Sequence, residues 1–271
     1  MSAQLTPSQL RRLCTSRQWY HTIELAPGVI TPGWFDLRGL TTKLPLPASL
    51  EGKRCLDIGT FDGFWAFEME GRGAAEAIGL DILDPHAWDW PWGSEDAVIE
   101  ALEERKDAGR GFDIAREALG SSARRVEGSI YELDPEVHGS FDFVYLGSLL
   151  LHLRDPIGAL ERVRSVCTGR LLVVDQIHLP LSLTRPFEAA ATLDGVGRPW
   201  WWRANLRGLV RMVEAAGFAL ERRAQPLLMP RGAGQGFPRL TPRLLTSRAG
   251  REHLFSTLSG APHAAVLARP R

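Results

Sequence analysis

The chain has 271 residues, 44% of them hydrophobic and 24% charged. That excludes wholesale disorder and leaves length for one large domain or two small ones around a real core. Basic and acidic residues number 32 each, a balance that argues against nucleic-acid binding by bulk electrostatics. The three scattered cysteines, Cys14, Cys55 and Cys167, suit a reducing compartment and form neither a disulfide framework nor a metal-ligand cluster. No apolar run reaches the ~18 residues of a membrane span, and the opening stretch lacks the apolar core of a signal peptide. A cytoplasmic location with no membrane partner is the expectation.

The balance conceals a local asymmetry. Residues 51–107 hold 15 acids and 5 bases, whereas residues 198–251 hold 11 arginines against Glu214 and Glu221. Such a distribution suits two surfaces with different partners, or two halves that attract each other.

There is no internal repeat. Thr6-Pro7 pairs an N-cap residue with proline at the first helical position, predicting a helix over Thr6–Gln18. From Trp19 to Pro47, Pro-Gly punctuation breaks any helical period. This stretch reads as an irregular lid or short hairpin outside the main sheet, giving an N-terminal segment over 1–50 and a main domain over 51–271. Residues 53–58 read as a buried strand, followed by a glycine turn and a helix over 64–70. Residues 75–81 form a second strand. A tryptophan-rich loop over 84–92 precedes helices over 94–108 and 111–119. Strands follow at 124–127 and 141–146. Asp155-Pro156 caps a helix with Ile157, Leu160 and Val163 on its apolar face, and a continuous apolar strand runs over 170–175. A substrate-facing insertion spans about 178–203 by this reading. A helix over 204–216 stops at Gly217, and late strands run over 218–228 and 264–268. Alternating strand and helix predict an open, mostly parallel Rossmann-like α/β sheet of about seven strands with helices on both faces. Ligands of such sheets sit at the carboxyl ends of central strands, so the chemistry is expected after Asp57, Asp81, Glu127 and Leu146.

Asp57-Ile58-Gly59-Thr60-Phe61-Asp62-Gly63 fits D-x-G-x-x-x-G between strand and helix. Gly59 permits the tight turn, and Gly63 permits close approach of helix and ligand. A dinucleotide fingerprint needs G-x-G-x-x-G, and here Thr60 and the spacing break it. An acid just before the first glycine repels a pyrophosphate and attracts a cation such as an ammonium or sulfonium. Asp81, 24 residues on, can accept both hydroxyls of a ribose. Gly128-Ser129-Ile130 can line an adenine, with Ser129 or a backbone group on its amino group.

With LDIGTFDG (Leu56–Gly63), IGLDI (Ile78–Ile82) and FDFVYLGSLLLHLRDP (Phe141–Pro156), the chain resembles class I S-adenosylmethionine-dependent methyltransferases. The resemblance covers about Gly52 to Asp175. It implies S-adenosylmethionine lying along Gly59 to Gly63, with Thr60 and Phe61 between them. It also implies the ribose on Asp81 beside Ile82, the adenine near Gly128–Ile130, and Gly147, Leu151 and His152 about the methionine part and the transferred methyl. More narrowly, Gly147–Pro156, Gly217-Phe218 and Ala261–Pro270 are similar to the branch of bacterial tRNA wobble-uridine carboxymethyltransferases. Where that branch carries a tyrosine before the histidine and a basic residue before the final strand, this chain has Leu151 and Ala264. Those polar groups hold the branch's carboxylated cofactor, so their absence implies ordinary S-adenosylmethionine. The long basic N-terminal portion of that branch is also missing, which weakens the case for tRNA.

Methyl transfer is an in-line displacement for which positioning in a dry pocket supplies most of the rate, with a general base needed for a hydroxyl acceptor. His152 is the best-placed base, and His21, beside Tyr20 in the lid, is a second candidate. Asp175 and His178 form a possible acid–base pair. Trp88, Trp90, Trp92 and Trp200, Trp201, Trp202 either wall the acceptor pocket or plug the sheet end. Arg203, Arg207 and Arg211 recur at four-residue spacing, as a solvated helix face or a phosphate-tracking stripe. No cluster has metal-ligand spacing. The favoured reading is a methyltransferase acting on an O or N atom of a small molecule. The alternatives are a tRNA anticodon-modifying transferase and a non-catalytic cofactor-binding module.

Overall fold

The computed structural model describes residues 5–94, 96–196, 199–239 and 241–271. Residues 95, 197 and 198, within the expected helix and insertion, lie outside the described residues. Eight strands make the main sheet among the described residues: β1 (Arg54–Ile58), β2 (Glu76–Asp81), β3 (Arg124–Glu127), β4 (Phe141–Gly147), β5 (Cys167–Gln176), β6 (Phe218–Leu220), β7 (Gln225–Met229) and β8 (Ala261–Pro270). Their order is β3-β2-β1-β4-β5-β8-β6, with β7 also on β8. The first five run parallel, and β8 is antiparallel to β5 and to its own edge partners. Strand order reverses between β1 and β4, which puts the ligand crevice at their carboxyl ends.

The late edge strand expected over 218–228 is two strands. Phe218–Leu220 pairs with the end of β8 and Gln225–Met229 with its start, so residues 221–224 interrupt one edge rather than add a new position. The charged run Glu221-Arg222-Arg223 faces solvent there, which favours leaving the ladder.

The helices are α1 (Pro7–Thr15), α2 (Phe64–Gly71), α3 (Asp96–Lys106), α4 (Arg110–Leu119), α5 (Pro156–Val166), α6 (Leu206–Ala215) and α7 (Arg248–Ser259), with shorter ones at Pro135–His138, Leu179–Thr184 and Pro242–Thr246. Thr6 and Gln9 form a capping box at α1, and Asp155 and Asn205 cap α5 and α6 with their side chains.

Alternation along the strands divides the core. Leu171 and Val173 join α5 and α6 residues (Leu160, Val163, Leu209, Val213) on one face. Leu172 and Val174 join Tyr145, Trp65, Trp19, Ile23 and Leu25 on the other. The N-terminal segment therefore stays off the main ladder but covers part of one face, where a helix alone would otherwise lie. Its short strands pair among themselves, Trp19–His21 parallel to Gly33–Phe35 and Glu24–Ala26 antiparallel to Val29–Ile30. The insertion holds the short helix Leu179–Thr184 and a pair of strands, Ala191–Leu193 against Trp202–Ala204. Among the described residues, no helix is long and apolar enough to cross a membrane.

Candidate active site

A cavity of about 1080 Å³ opens at the carboxyl ends of β1, β2 and β4. Of the residues singled out from sequence, His21, Asp57, Gly59, Phe61, Asp81, Ile82, Gly128, Ser129, Ile130, Gly147, Leu151 and His152 all border it. Segments more than a hundred residues apart are thus brought together by the strand order alone.

The first turn is built on left-handed backbone: Gly59 at φ +75°, Phe61 at +50° and Gly63 at +89°. Phe61 has a side chain and is held there because its N–H donates to Asp81 Oδ2 at 2.6 Å. That bond ties the β1 turn to the end of β2. Thr60 and Gly63 correct the expectation that the whole turn faces the ligand, because neither borders the cavity. Thr60 is fully buried and donates to Asp57 Oδ2 at 2.6 Å. A Cβ on Gly63 would meet the Phe67 and Phe112 rings at 2.5–2.7 Å, so this glycine serves helix packing. Asp57 is 2% exposed, and burial pushes its carboxyl up to about 7 against the help of Thr60.

Asp81 differs from expectation in its company. Its Oδ2 also ion-pairs with Lys106, the last residue of α3, which is itself almost wholly buried. The Lys106 ammonium lies 4.2 Å from the Phe61 ring centroid. Next along, Arg105 lies 3.4 Å over the Trp34 ring and donates to Gln18 at 2.8 Å. Ala97, Val98, Ala101, Leu102 and Arg105 border the cavity, so α3 turns one face to it. Sequence gives no sign of this pair of buried cations, because charged residues at a helix end ordinarily face water.

Ser129 accepts from Tyr131 N–H and forms a capping box with Glu132. Its hydroxyl is thus committed to the backbone turn, which leaves other groups of the Gly128–Ile130 wall to meet a base.

Asp62, inside the motif but not singled out, positions the lid. It accepts from the backbone N–H of Tyr20 at 2.6 Å and of His21 at 3.0 Å. Tyr20 stacks on Phe61 at 4.6 Å, and burial pulls His21 down to about 3. His21 Nδ1 has no hydrogen-bond partner among the described residues. His152 is tied through Nδ1 to the Pro199 carbonyl at 2.6 Å, and burial lowers its pKa below the usual range.

Asp175 and His178, expected as an acid–base pair, both bond backbone groups. Asp175 accepts from the N–H groups of Leu149, Leu150 and Gln176, and His178 Nδ1 caps the short helix by accepting from Leu181. Both fix backbone. The arginine stripe is also corrected. Arg203 precedes α6 and bonds Asp194 and Glu252, so it does not share a helix face with Arg207 and Arg211. Of the two tryptophan groups, Trp88 and Trp200 border the cavity. Three others staple loops, Trp201 donating to the Asp89 carbonyl at 2.6 Å, Trp202 to Arg154 and Trp90 to Pro85, while Trp92 is exposed. Trp34 and Trp65, outside both groups, border the cavity as well.

One further pair has no signal in the sequence. Ser148 follows β4 at φ +51°, and its Oγ lies 3.1 Å from Nε2 of His263 on β8. Only the pairing of β8 with β5 brings that histidine here, opposite Gln176.

The methyltransferase-domain family matches residues 36–222, more than half of the chain. The chain belongs to that family. Two solved structures share its fold. The N-terminal domain of EvdMO1, crystallised in the presence of SAH and D-fucose, is 15% identical over all of both chains, with a TM-score of 0.56. Magnesium protoporphyrin IX methyltransferase (ChlM) from Synechocystis PCC 6803, with bound SAH, is 14% identical over 87% of this chain and 82% of that one, with a TM-score of 0.51. No curated protein matches by sequence. By family and fold this is a class I S-adenosylmethionine-dependent methyltransferase. The methyltransferase's donor set suits that cofactor. Two buried acids and a left-handed turn favour a cation and a sugar, and would oppose a pyrophosphate.

Proposed function

We propose that the methyltransferase transfers a methyl group to an oxygen or nitrogen of a small-molecule acceptor in the cytoplasm. The observation that carries the reading is the single cavity wall joining Asp57 and Asp81 to Tyr20, Trp34, Phe35 and Met229. A charged end suits the cofactor, and an aromatic end suits a flat, largely apolar acceptor.

When bound, S-adenosylmethionine supplies an electrophilic methyl on a sulfonium. Asp57 favours that cation, and Gly59 and Phe61 line the methionine side. Thr60 and Gly63 act from behind, by holding Asp57 and the turn. Asp81 takes the ribose, with Ile82, Gly128, Ser129 and Ile130 around the adenine. Gly147, Leu151, His152 and His21 bound the space where the methyl meets its acceptor. The N-terminal segment and α3 keep water out, which sharpens every charge interaction within. A tRNA acceptor is disfavoured because Arg203 is already paired with acids.

Calorimetry with S-adenosylhomocysteine and with a nicotinamide dinucleotide tests the cofactor assignment. Binding of the first and not the second is expected, and the reverse would overturn it. Incubation with a methyl-labelled cofactor and small acceptors, with tRNA as the contrast, then tests the acceptor class.

A further inference from the structure

The strongest unassigned feature is the contact between Ser148 and His263. His263 is 2% exposed, and its Nδ1 lies 2.9 Å from the Ala261 carbonyl. A carbonyl only accepts, so Nδ1 carries the ring proton and Nε2 is left as an acceptor. Nε2 faces the Ser148 hydroxyl, and both residues border the cavity, at the end of β4 and the start of β8. The strained backbone of Ser148 is what brings its hydroxyl to the imidazole.

We propose that His263 is the general base for a hydroxyl-bearing aromatic acceptor, with Ser148 holding the Nε2 side of its imidazole until the acceptor hydroxyl takes that place. The inference rests on the methyltransferase reading above and narrows its acceptor atom to oxygen. The acceptor hydroxyl donates to Nε2 of His263 in place of Ser148. The oxygen–methyl bond forms as the sulfur–methyl bond breaks, with that electron pair going to sulfur. The hydroxyl proton passes to Nε2 and then to solvent. Methylation makes the acceptor oxygen far more acidic, so even a weak base can take its proton.

Burial pulls His263 down to about 4, against the Ala261 hydrogen bond. The ring is therefore neutral and ready to accept at physiological pH. Ionisable groups on the elements around it are Asp175 on β5 and Tyr145 on β4, with Tyr20 and His21 also on the cavity wall. Asp175 is held by three backbone N–H groups, and burial keeps both tyrosines above their usual range.

The test uses the full chain, S-adenosylmethionine, and pairs of aromatic compounds differing only by hydroxyl or amine, with S-adenosylhomocysteine release as the readout. Turnover of hydroxyl members is expected. His263→Gln should lose on the order of a hundredfold near pH 7. That loss should shrink towards pH ~10, where a phenol ionises unaided. Ser148→Ala should lose about tenfold and keep the wild-type pH profile, and both variants should bind S-adenosylhomocysteine within about twofold of wild type. Nitrogen-15 spectra of the S-adenosylhomocysteine complex should show a neutral Nδ1–H imidazole that disappears in His263→Gln. The proposal is overturned by full turnover in His263→Gln, by a loss that high pH does not relieve, by an Nε2–H tautomer, or by turnover of amines alone or of no hydroxyl compound. Wild-type protein that fails to bind S-adenosylhomocysteine would instead overturn the reading beneath it.

Discussion

The two ends of the cavity are built on different principles. At the ends of β1 and β2, buried charge does the holding: Asp57, Asp62, Asp81 and Lys106 are all at most 8% exposed. At the ends of β4 and β5 and the start of β8, rings and hydrogen bonds to backbone do it: Trp65 stacks on Tyr145 at 4.3 Å, Asp175 accepts from backbone N–H groups, and His263 meets Ser148. The charged end is assembled mainly from a short motif and the helix that follows β2. The aromatic end draws on the N-terminal segment, the β4 turn and the last strand. A cofactor common to many acceptors suits a locally encoded end, while an acceptor peculiar to one enzyme suits an end assembled from scattered segments. Substitutions can break that contrast or sharpen it.

The largest effect is expected at Lys106. Lys106→Met leaves Asp81 buried without its cation, which costs on the order of 3 kcal/mol or more. Thermal melting should fall by roughly 6–12 °C or more, because each kcal/mol moves a domain of this size by about 2–4 °C. A melt unchanged from wild type would show that charge does not hold this end.

Next comes Asp81→Asn, which keeps the shape, removes the carboxylate and leaves Lys106 without its anion. Charge-assisted hydrogen bonds to ribose hydroxyls contribute about 1.5–3 kcal/mol each. Calorimetry should therefore show S-adenosylhomocysteine binding weakened by roughly a hundredfold, with the His263 tautomer untouched. Loss of both together would mean that the two ends are one unit.

A third effect is pH-dependent. Burial raises Asp57 from its ordinary 3.8 to about 7, so the folded chain holds a proton there that the unfolded chain has released. Its contribution falls as pH rises from about 4 to about 7 and is flat above. Asp57→Asn should melt above wild type near pH ~8 and close to it near pH ~4.5. His21 and His263, pulled down by burial, act in the opposite sense, so the comparison is between variant and wild type at each pH. An equal difference at both pH values would show that Asp57 is not held against ionisation.

Much of the charged end was legible because its information is local. A strand, an acid, a glycine turn and a second acid 24 residues on are linked by the chain itself, and turn geometry demands particular residue types. Even there, only the tertiary structure gives Thr60 to Asp57 and Asp62 to the lid backbone, since both are polar residues in one turn. The reading of Arg203 with Arg207 and Arg211 failed because spacing implies a shared face only where all three lie on one helix.

From its sequence alone, the chain determined the alternation of strand and helix, the open parallel sheet and the acids beside a nucleoside-shaped crevice. Periodicity and turn chemistry act over a few residues and survive without knowledge of the rest. Only the tertiary structure decided that Lys106 would close on Asp81, that Trp34 would replace most of the clustered tryptophans at the wall, and that His263 would meet Ser148 across 115 positions. Those contacts depend on strand order and on burial on the far side of a sheet, which no local pattern carries.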